Sequence, residues 1–139
     1  MFEYLDHTAD VQIHSWGSSL EDSFTEAGYA LVDYMTDREG ILPKHSYTIS
    51  ITASDIQKLL YQFLDELLYH FFVDYAVHDI SISSIEQVAA DNFVLEAVVR
   101  GEEFDRERHR CGCEVKAITY SNMSISLSPP YDIYVIIDI

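Results

Sequence analysis

The sequence predicts an α+β fold, with a mostly antiparallel sheet or sheets and two helices packed on one side. Two segments carry apolar residues at helical spacing, and each of them follows a segment with the alternating pattern of a strand. Four more strand segments follow without another helix, which gives the order β-α-β-α-β-β-β-β. The 139 residues suit one domain, 1–139, with a single hydrophobic core.

The first strand and the first helix are predicted from adjoining patterns. Apolar and polar residues alternate from Ala9 to Trp16, and Gly17 ends the run. Ser18-Ser19-Leu20-Glu21 has the form of a capping box, and apolar residues at helical spacing follow it. A helix is therefore predicted from about Ser19 to Tyr34.

The second strand and the second helix repeat this order. Tyr47 to Thr52 alternates with β-branched residues, which favours a strand. Ser54-Asp55-Ile56-Gln57 predicts a helix start, and a wide apolar stripe follows that must face a sheet. The stripe consists of Ile56, Leu59, Leu60, Phe63, Leu64, Leu67, Leu68 and Phe71.

The remaining four strands are predicted between turn signals. Asp91-Asn92, the polar stretch from Gly101 to Gly112, and Pro129-Pro130 are typical of turns and loops. The strands are expected at roughly Asp79 to Val88, Phe93 to Gly101, Glu114 to Leu127 and Tyr131 to Ile139.

Charge is the most informative total. The 24 Asp and Glu residues outnumber the 8 Lys and Arg residues, which gives a formal charge of −16. Such a chain repels phosphate backbones, so direct, tight binding of nucleic acid is not expected. The charge favours docking onto a basic protein or collecting hard cations, although it could equally serve only to keep the domain soluble.

The cell interior, cytosol or nucleus, is the expected location. The first residues show no export signal, and no apolar run reaches the length of a membrane span. Cys111 and Cys113 give no disulfide framework. With His109 nearby they could suggest a soft-metal or redox site, but the spacing fits neither, and loop thiols are predicted.

Oxygen ligands for a metal occur near both ends of the chain. Asp6-His7-Thr8-Ala9-Asp10 places two carboxylates just before a strand, and Asp138 comes at the end of an apolar C-terminal run. If the first and last strands are neighbours, Asp10, Asp138 and the terminal carboxylate of Ile139 form a cage suited to Ca²⁺ or Mg²⁺. The alternative is that the acids accept hydrogen bonds from turn and strand-end amides.

One strand segment is predicted to carry charge on a single face. Glu114, Lys116, Ile118 and Tyr120 are expected on one face, and Val115, Ala117, Thr119 and Ser121 on the other. The opposite charges of Glu114 and Lys116 are compatible with a contact surface. They are equally compatible with a solvated ion pair of well under about 1 kcal/mol.

Several of these motifs together resemble the archease family. The motifs lie in order along essentially the whole chain. They are Asp6-His7-Thr8-Ala9-Asp10-Val11, Ser19-Leu20-Glu21-Asp22-Ser23-Phe24, Leu59-Leu60 to Glu66-Leu67-Leu68, Gly101-Glu102, Glu114-Val115-Lys116-Ala117-Ile118-Thr119-Tyr120 and Asp138-Ile139.

The resemblance implies a protein cofactor of RtcB-type RNA ligases, which join tRNA halves after intron removal. It implies that Asp10 and Asp138 bind a metal, with a terminal oxygen of Ile139 as third ligand. It also implies that the chain promotes guanylylation of the ligase and its turnover without supplying a nucleophile. His7, Glu114, Lys116 and Tyr120 are then expected partner contacts. Ser121 departs from the histidine of many archeases, which removes a possible ligand or partner contact at that position but leaves the family assignment unchanged.

Two other functions remain open at this point. The first is a metal-assisted hydrolase that uses Asp10 and Asp138 with water, and His7 as base; it needs a pocket. The second is a general chaperone-like helper of RNA-processing proteins, which should assist several unrelated clients.

Overall fold

The computed structural model describes residues 1–6, 10–73 and 75–139. Within that part of the chain, two helices and two antiparallel sheets confirm the predicted α+β class. A 3-10 turn at Arg38–Gly40 follows the first helix. The elements are β1 (Phe2–Asp6), β2 (Asp10–Ser15), α1 (Leu20–Met35), β3 (His45–Ala53), α2 (Ile56–Phe72), β4 (Tyr75–Ala89), β5 (Asn92–Glu103), β6 (Ala117–Ile118), β7 (Ser124–Ile125) and β8 (Ile133–Asp138).

Strands near the two ends of the chain form one sheet, and strands from its middle form the other. The five-stranded sheet has the order β1-β2-β8-β6, with β7 also paired to β8, and the three-stranded sheet has the order β3-β5-β4. Strand β1 was not predicted. The hydroxyl of its Tyr4 donates a hydrogen bond to the carbonyl of Ala30 in α1 at 2.8 Å. The two residues are 26 positions apart in the sequence, so no local sequence pattern predicts this contact.

Both helices contact strands of both sheets and fill the core between them. The predicted stripe of α2 is confirmed, with its six central apolar residues from Leu59 to Leu68 buried. The N-cap of each helix is the second residue of its predicted capping sequence instead of the first. Ser19, not Ser18, accepts from the amide of Asp22, and Asp55, not Ser54, accepts from the amide of Lys58. In both cases the capping side chain belongs to the residue directly before the first helical one.

The predicted strand from Glu114 to Leu127 is wrong as a continuous element. The structure has two short strands there, β6 and β7, both paired to β8. Between them Met123 donates its amide to the carbonyl of Tyr120 at 3.2 Å, and Asn122 has a left-handed backbone with φ of 52°. Asn tolerates that conformation better than most residues, so the chain turns at this point.

No helix in the described residues is both long and apolar enough to cross a membrane.

Candidate functional site

Asp10 and Asp138 lie directly opposite each other at one end of the five-stranded sheet. The antiparallel register of β2 and β8 pairs Asp10 with Asp138 and Val11 with Ile137. Directly paired residues project from the same face of a sheet. Because Val11 and Ile137 are buried in the core, the two aspartates project from the other face, and Asp138 is exposed.

The C-terminal strand is fixed in place by its apolar face. Ile133, Val135 and Ile137 are each 0% exposed and pack in the core. Strand β8 lies between β2 and β6, so both of its edges are hydrogen-bonded. The amide of Lys116 donates to the carbonyl of Asp138 at 2.7 Å, next to the strand end. Position 138 is therefore held rigidly instead of fraying as chain ends usually do.

The donor chemistry of this sheet end fits a hard divalent cation. Two carboxylates placed opposite each other repel, and a cation between them relieves that repulsion. Among the residues that the structure describes, no three His, Cys, Asp or Glu side chains are grouped so as to hold a metal. The donors that the sequence predicts here, the carboxylates of Asp10, Asp138 and Ile139, are an all-oxygen set of the kind that Ca²⁺ and Mg²⁺ accept together with water.

The structure describes three of the four predicted contact residues. His7 lies outside the described residues, whereas Glu114, Lys116 and Tyr120 are exposed. Tyr120 stacks on Tyr61 of α2, with ring centroids 4.5 Å apart. Burial, together with the neighbouring Tyr61 and Asp55, raises the pKa of the Tyr120 phenol.

The predicted division of this segment into two faces is wrong. Val115 and Ile118 are 1% and 3% exposed and both lie in the core, while Lys116 is exposed. Regular pairing with β8 begins only at Ala117, so residues 114 to 116 do not follow the strand alternation. Lys116 is still next to the aspartate pair through its hydrogen bond to Asp138.

His14 makes two contacts with carboxylates that the pattern of β2 did not reveal. Its Nδ1 lies 3.0 Å from Oε1 of Glu3 and its Nε2 lies 2.8 Å from Oδ1 of Asp132. Ionised carboxylates only accept hydrogen bonds, so both ring nitrogens must carry protons. Burial opposes the charge, but the bonds to Glu3 and Asp132 outweigh it and raise the pKa of His14.

Glu102, near the end of β5, is a buried carboxylate paired with Arg108 of the polar loop that follows, and sequence patterns also missed this ion pair. The Glu102 side chain is 3% exposed and accepts from the Leu42 amide at 2.6 Å and from the guanidinium of Arg108. Nε2 of His109 lies 3.2 Å from Glu102, and its Nδ1 accepts from the amide of Asp105 at 2.8 Å. The bond to Arg108 lowers the pKa of Glu102 to about 2 even though burial opposes it.

The cysteine pair lies in the same loop. Cys111 and Cys113 are free and exposed, as predicted, and His109 turns its ring to Glu102 and Asp105. The amides of Gly112 and Cys113 donate to the carbonyls of Met35 and Tyr34 at 2.7 and 3.0 Å. The segment therefore caps the C-terminus of α1.

Comparison with known proteins gives one consistent family. Residues 2–139 match the model of the archease protein family (MTH1598/TM1083). The chain is 41% identical to protein archease of Danio rerio over 140 residues, covering 99% of this chain and 85% of that protein. It is 42% identical to protein archease-like of Drosophila melanogaster over 142 residues, with coverages of 99% and 90%. It is 37% identical to protein archease of Pyrococcus furiosus over 128 residues, with coverages of 92% and 89%.

Solved structures share the fold. Protein 1598 of Methanobacterium thermoautotrophicum superimposes with a TM-score of 0.82 at 31% identity, covering 99% of this chain and 98% of that one. An archease from Thermotoga maritima, described as a possible chaperone, gives a TM-score of 0.61 at 16% identity over 100% of this chain and 98% of that one. The second likeness is evidence for the fold alone.

Proposed function

The chain belongs to the archease family, and from that premise we propose that it is a non-catalytic cofactor that activates an RtcB-type RNA ligase in tRNA splicing. It promotes guanylylation of the ligase and repeated turnover, with the help of a divalent cation. The observation that carries the proposal is the direct pairing of Asp10 with Asp138 at an exposed sheet end.

The proposed ligands of the cation are Asp10, Asp138 and the carboxylate of Ile139. When bound, Ca²⁺ or Mg²⁺ supplies positive charge that attracts and orients phosphate groups. The chain's own contribution is to hold the carboxylates on a rigid strand end and to present them outward. The acidic surface favours a basic rim on the partner, and His7, Glu114, Lys116 and Tyr120 are the proposed contacts around the site.

The position of the aspartate pair at a sheet end, with Asp138 exposed and Asp10 half-buried, favours a cofactor over a hydrolase. A hydrolase needs a cleft that surrounds its substrate. Three clefts of about 660, 620 and 360 Å³ occur in the described part of the protein, and neither Asp10 nor Asp138 lines any of them. The site is suited to entering a cleft of another protein.

A ligase guanylylation assay tests the proposal. A limiting amount of the RtcB-type ligase from the same organism is incubated with GTP and the wild-type chain, Asp10→Asn or Asp138→Asn. Asp91→Asn, which removes one exposed carboxylate in the β4–β5 turn, is the matched control. Loss of stimulation by more than about tenfold in the two site variants, with the control unchanged, is expected.

Equal stimulation by all variants would contradict the role of the aspartate pair. Nucleotide hydrolysis by the chain alone would favour the hydrolase, and rescue of several unrelated clients would favour a general chaperone-like helper.

A further inference from the structure

The two edges of the three-stranded sheet are built differently. Strand β4, on one edge, changes register at three points and carries the charged residues Asp79 and Glu86. Bulges and charges are the usual means by which an edge strand is kept from pairing with another chain. The three shifts lie between Val77 and Asp79, between Ile82 and Ser84, and between Gln87 and Ala89.

Strand β3, on the opposite edge, has none of these protections. Its nine residues, His45–Ala53, pair with β5 one to one without a register shift. The strand contains no Asp, Glu, Lys, Arg or Pro. Within the described ranges, no backbone hydrogen bond joins β3 to any strand other than β5. Alternate amides and carbonyls of β3 therefore point outward and are available for a further strand.

The side chains along this edge are accessible and suited to extended pairing. The outward-facing residues of β3 are small hydroxyl residues, half of them β-branched, and all are exposed. They are Ser46, Thr48, Ser50 and Thr52. Short side chains let another backbone approach closely, and β-branched ones favour strand geometry.

Carboxylates lie near the start, the middle and the end of the strand, together with Arg100 opposite Ser46 and Lys58, whose Nζ is 3.9 Å from Asp55. Near its start, Glu66 lies 3.4 Å from His70, whose ring stacks on Tyr47 with centroids 3.8 Å apart. Glu96 accepts a hydrogen bond from Ser50 at 2.7 Å in the middle, and Asp55 follows the end of the strand. The whole chain adds a formal charge of −16. A segment that approaches this edge is therefore attracted if it is basic and repelled if it is acidic.

We propose that the open edge of β3 binds an extended, Lys- and Arg-rich segment of a partner protein by strand addition. Main-chain hydrogen bonds supply the affinity, and the surrounding carboxylates select for basic residues. The edge belongs to a different sheet from Asp10 and Asp138, so this contact is independent of the proposed cation site. A second copy of the chain is a poor occupant, since it brings the same large negative charge.

The test uses a fluorescently labelled nonapeptide of alternating lysine and valine, with binding followed by anisotropy. Thr48 and Ser81 form a matched pair of positions, because both lie opposite Val98 on the same face, one on each edge strand. Thr48→Lys is expected to weaken binding by more than about tenfold, and Ser81→Lys by less than about twofold. Equal weakening by the two variants would mean that peptide binding depends only on the overall charge of the chain and not on the edge of β3.

A second probe separates strand pairing from charge attraction. The same peptide with every internal amide N-methylated keeps its charge but cannot donate ladder hydrogen bonds, so its binding should be lost. Amide hydrogen exchange should show protection of β3 only with the unmodified peptide. Undiminished binding of the methylated peptide would overturn the proposal. So would a peptide-free dimer at micromolar concentration with β3 amides already protected, since the occupant would then be a second copy.

Discussion

The imidazole of His14 stacks face to face on the phenol ring of Tyr134, with ring centroids 4.3 Å apart and an interplanar angle of 3°. The two residues are opposite partners in β2 and β8, the same strands that carry Asp10 and Asp138. The ring is also held between Glu3 of β1 and Asp132 before β8. His14 thus joins three successive strands of the sheet, four residues along β2 from Asp10.

His14→Gln should destabilise the protein most at low pH. The raised pKa of His14 means that its contribution is fully present below the ordinary value of 6.5 and is lost as the pH rises through the raised pKa. A loss of about 1–2 kcal/mol in the free energy of unfolding is expected at pH 6, shrinking toward pH 9. Urea unfolding at several pH values measures it.

The control is His45→Gln, which removes another imidazole at an exposed position. It should change stability little at any pH. A loss in His14→Gln that stays constant or grows with pH would show that the imidazolium form is not what stabilises the sheet.

The sequence predicted the parts of this protein that depend on local periodicity. The stripe of α2 and the alternation of β2 each follow from a single segment, and the apolar run before Asp138 required the C-terminus to be fixed. The meeting of Asp10 and Asp138 needed one further assumption, that the first and last strands are neighbours, and the register satisfies it.

What sequence reasoning missed depends on contacts between distant segments. Glu102 was read as part of a polar loop, because its partner at Leu42 lies 60 residues away and has no recognisable pattern. In the segment predicted as a strand from Glu114 to Leu127, Val115 and Ile118 are both buried because regular pairing with β8 begins only at Ala117, and strict alternation cannot predict this.

Glu102→Gln should destabilise the protein by weakening the contacts that hold the loop after β5. The change removes the negative charge that pairs with the Arg108 guanidinium, and it weakens the acceptor of the Leu42 amide. A loss of about 2 kcal/mol at neutral pH is expected. Because the pKa of Glu102 is lowered from 4.5 to about 2, the wild type should lose this advantage as the pH falls from about 4.5 to 2. Denaturant unfolding of both proteins across that range is the measurement, and parallel curves would contradict it.

Gly101→Ala should disrupt the pairing of β4 with β5. A Cβ atom at position 101 would lie 1.9 Å from the carbonyl oxygen of Ala76, which is backbone and cannot rotate away. A loss of about 3 kcal/mol or more is expected. Gly40→Ala is the matched control, because no atom lies within 4 Å of the added carbon. Thermal unfolding compares the two, and equal stability of the variants would show that the strands can move apart without cost.

Ca²⁺ or Mg²⁺ should stabilise the wild type through Asp10 and Asp138. A ligand that binds only the folded state adds about 2.7 kcal/mol at a hundredfold excess over its dissociation constant. Asp138 is exposed, so Asp138→Asn should change the metal-free stability by less than about 0.5 kcal/mol. The variant should nevertheless lose the response to the cation, because one of two opposed carboxylates is gone. Thermal unfolding in EDTA and in millimolar cation, at ionic strength matched with NaCl, measures both effects. The control accounts for the screening of the charge of −16 by divalent cations that bind at no particular site. Asp91→Asn loses the same charge, so it must keep the full stabilisation by the cation. An equal response in all three proteins would mean that the cation acts by general screening and that the aspartate pair holds no specific ion.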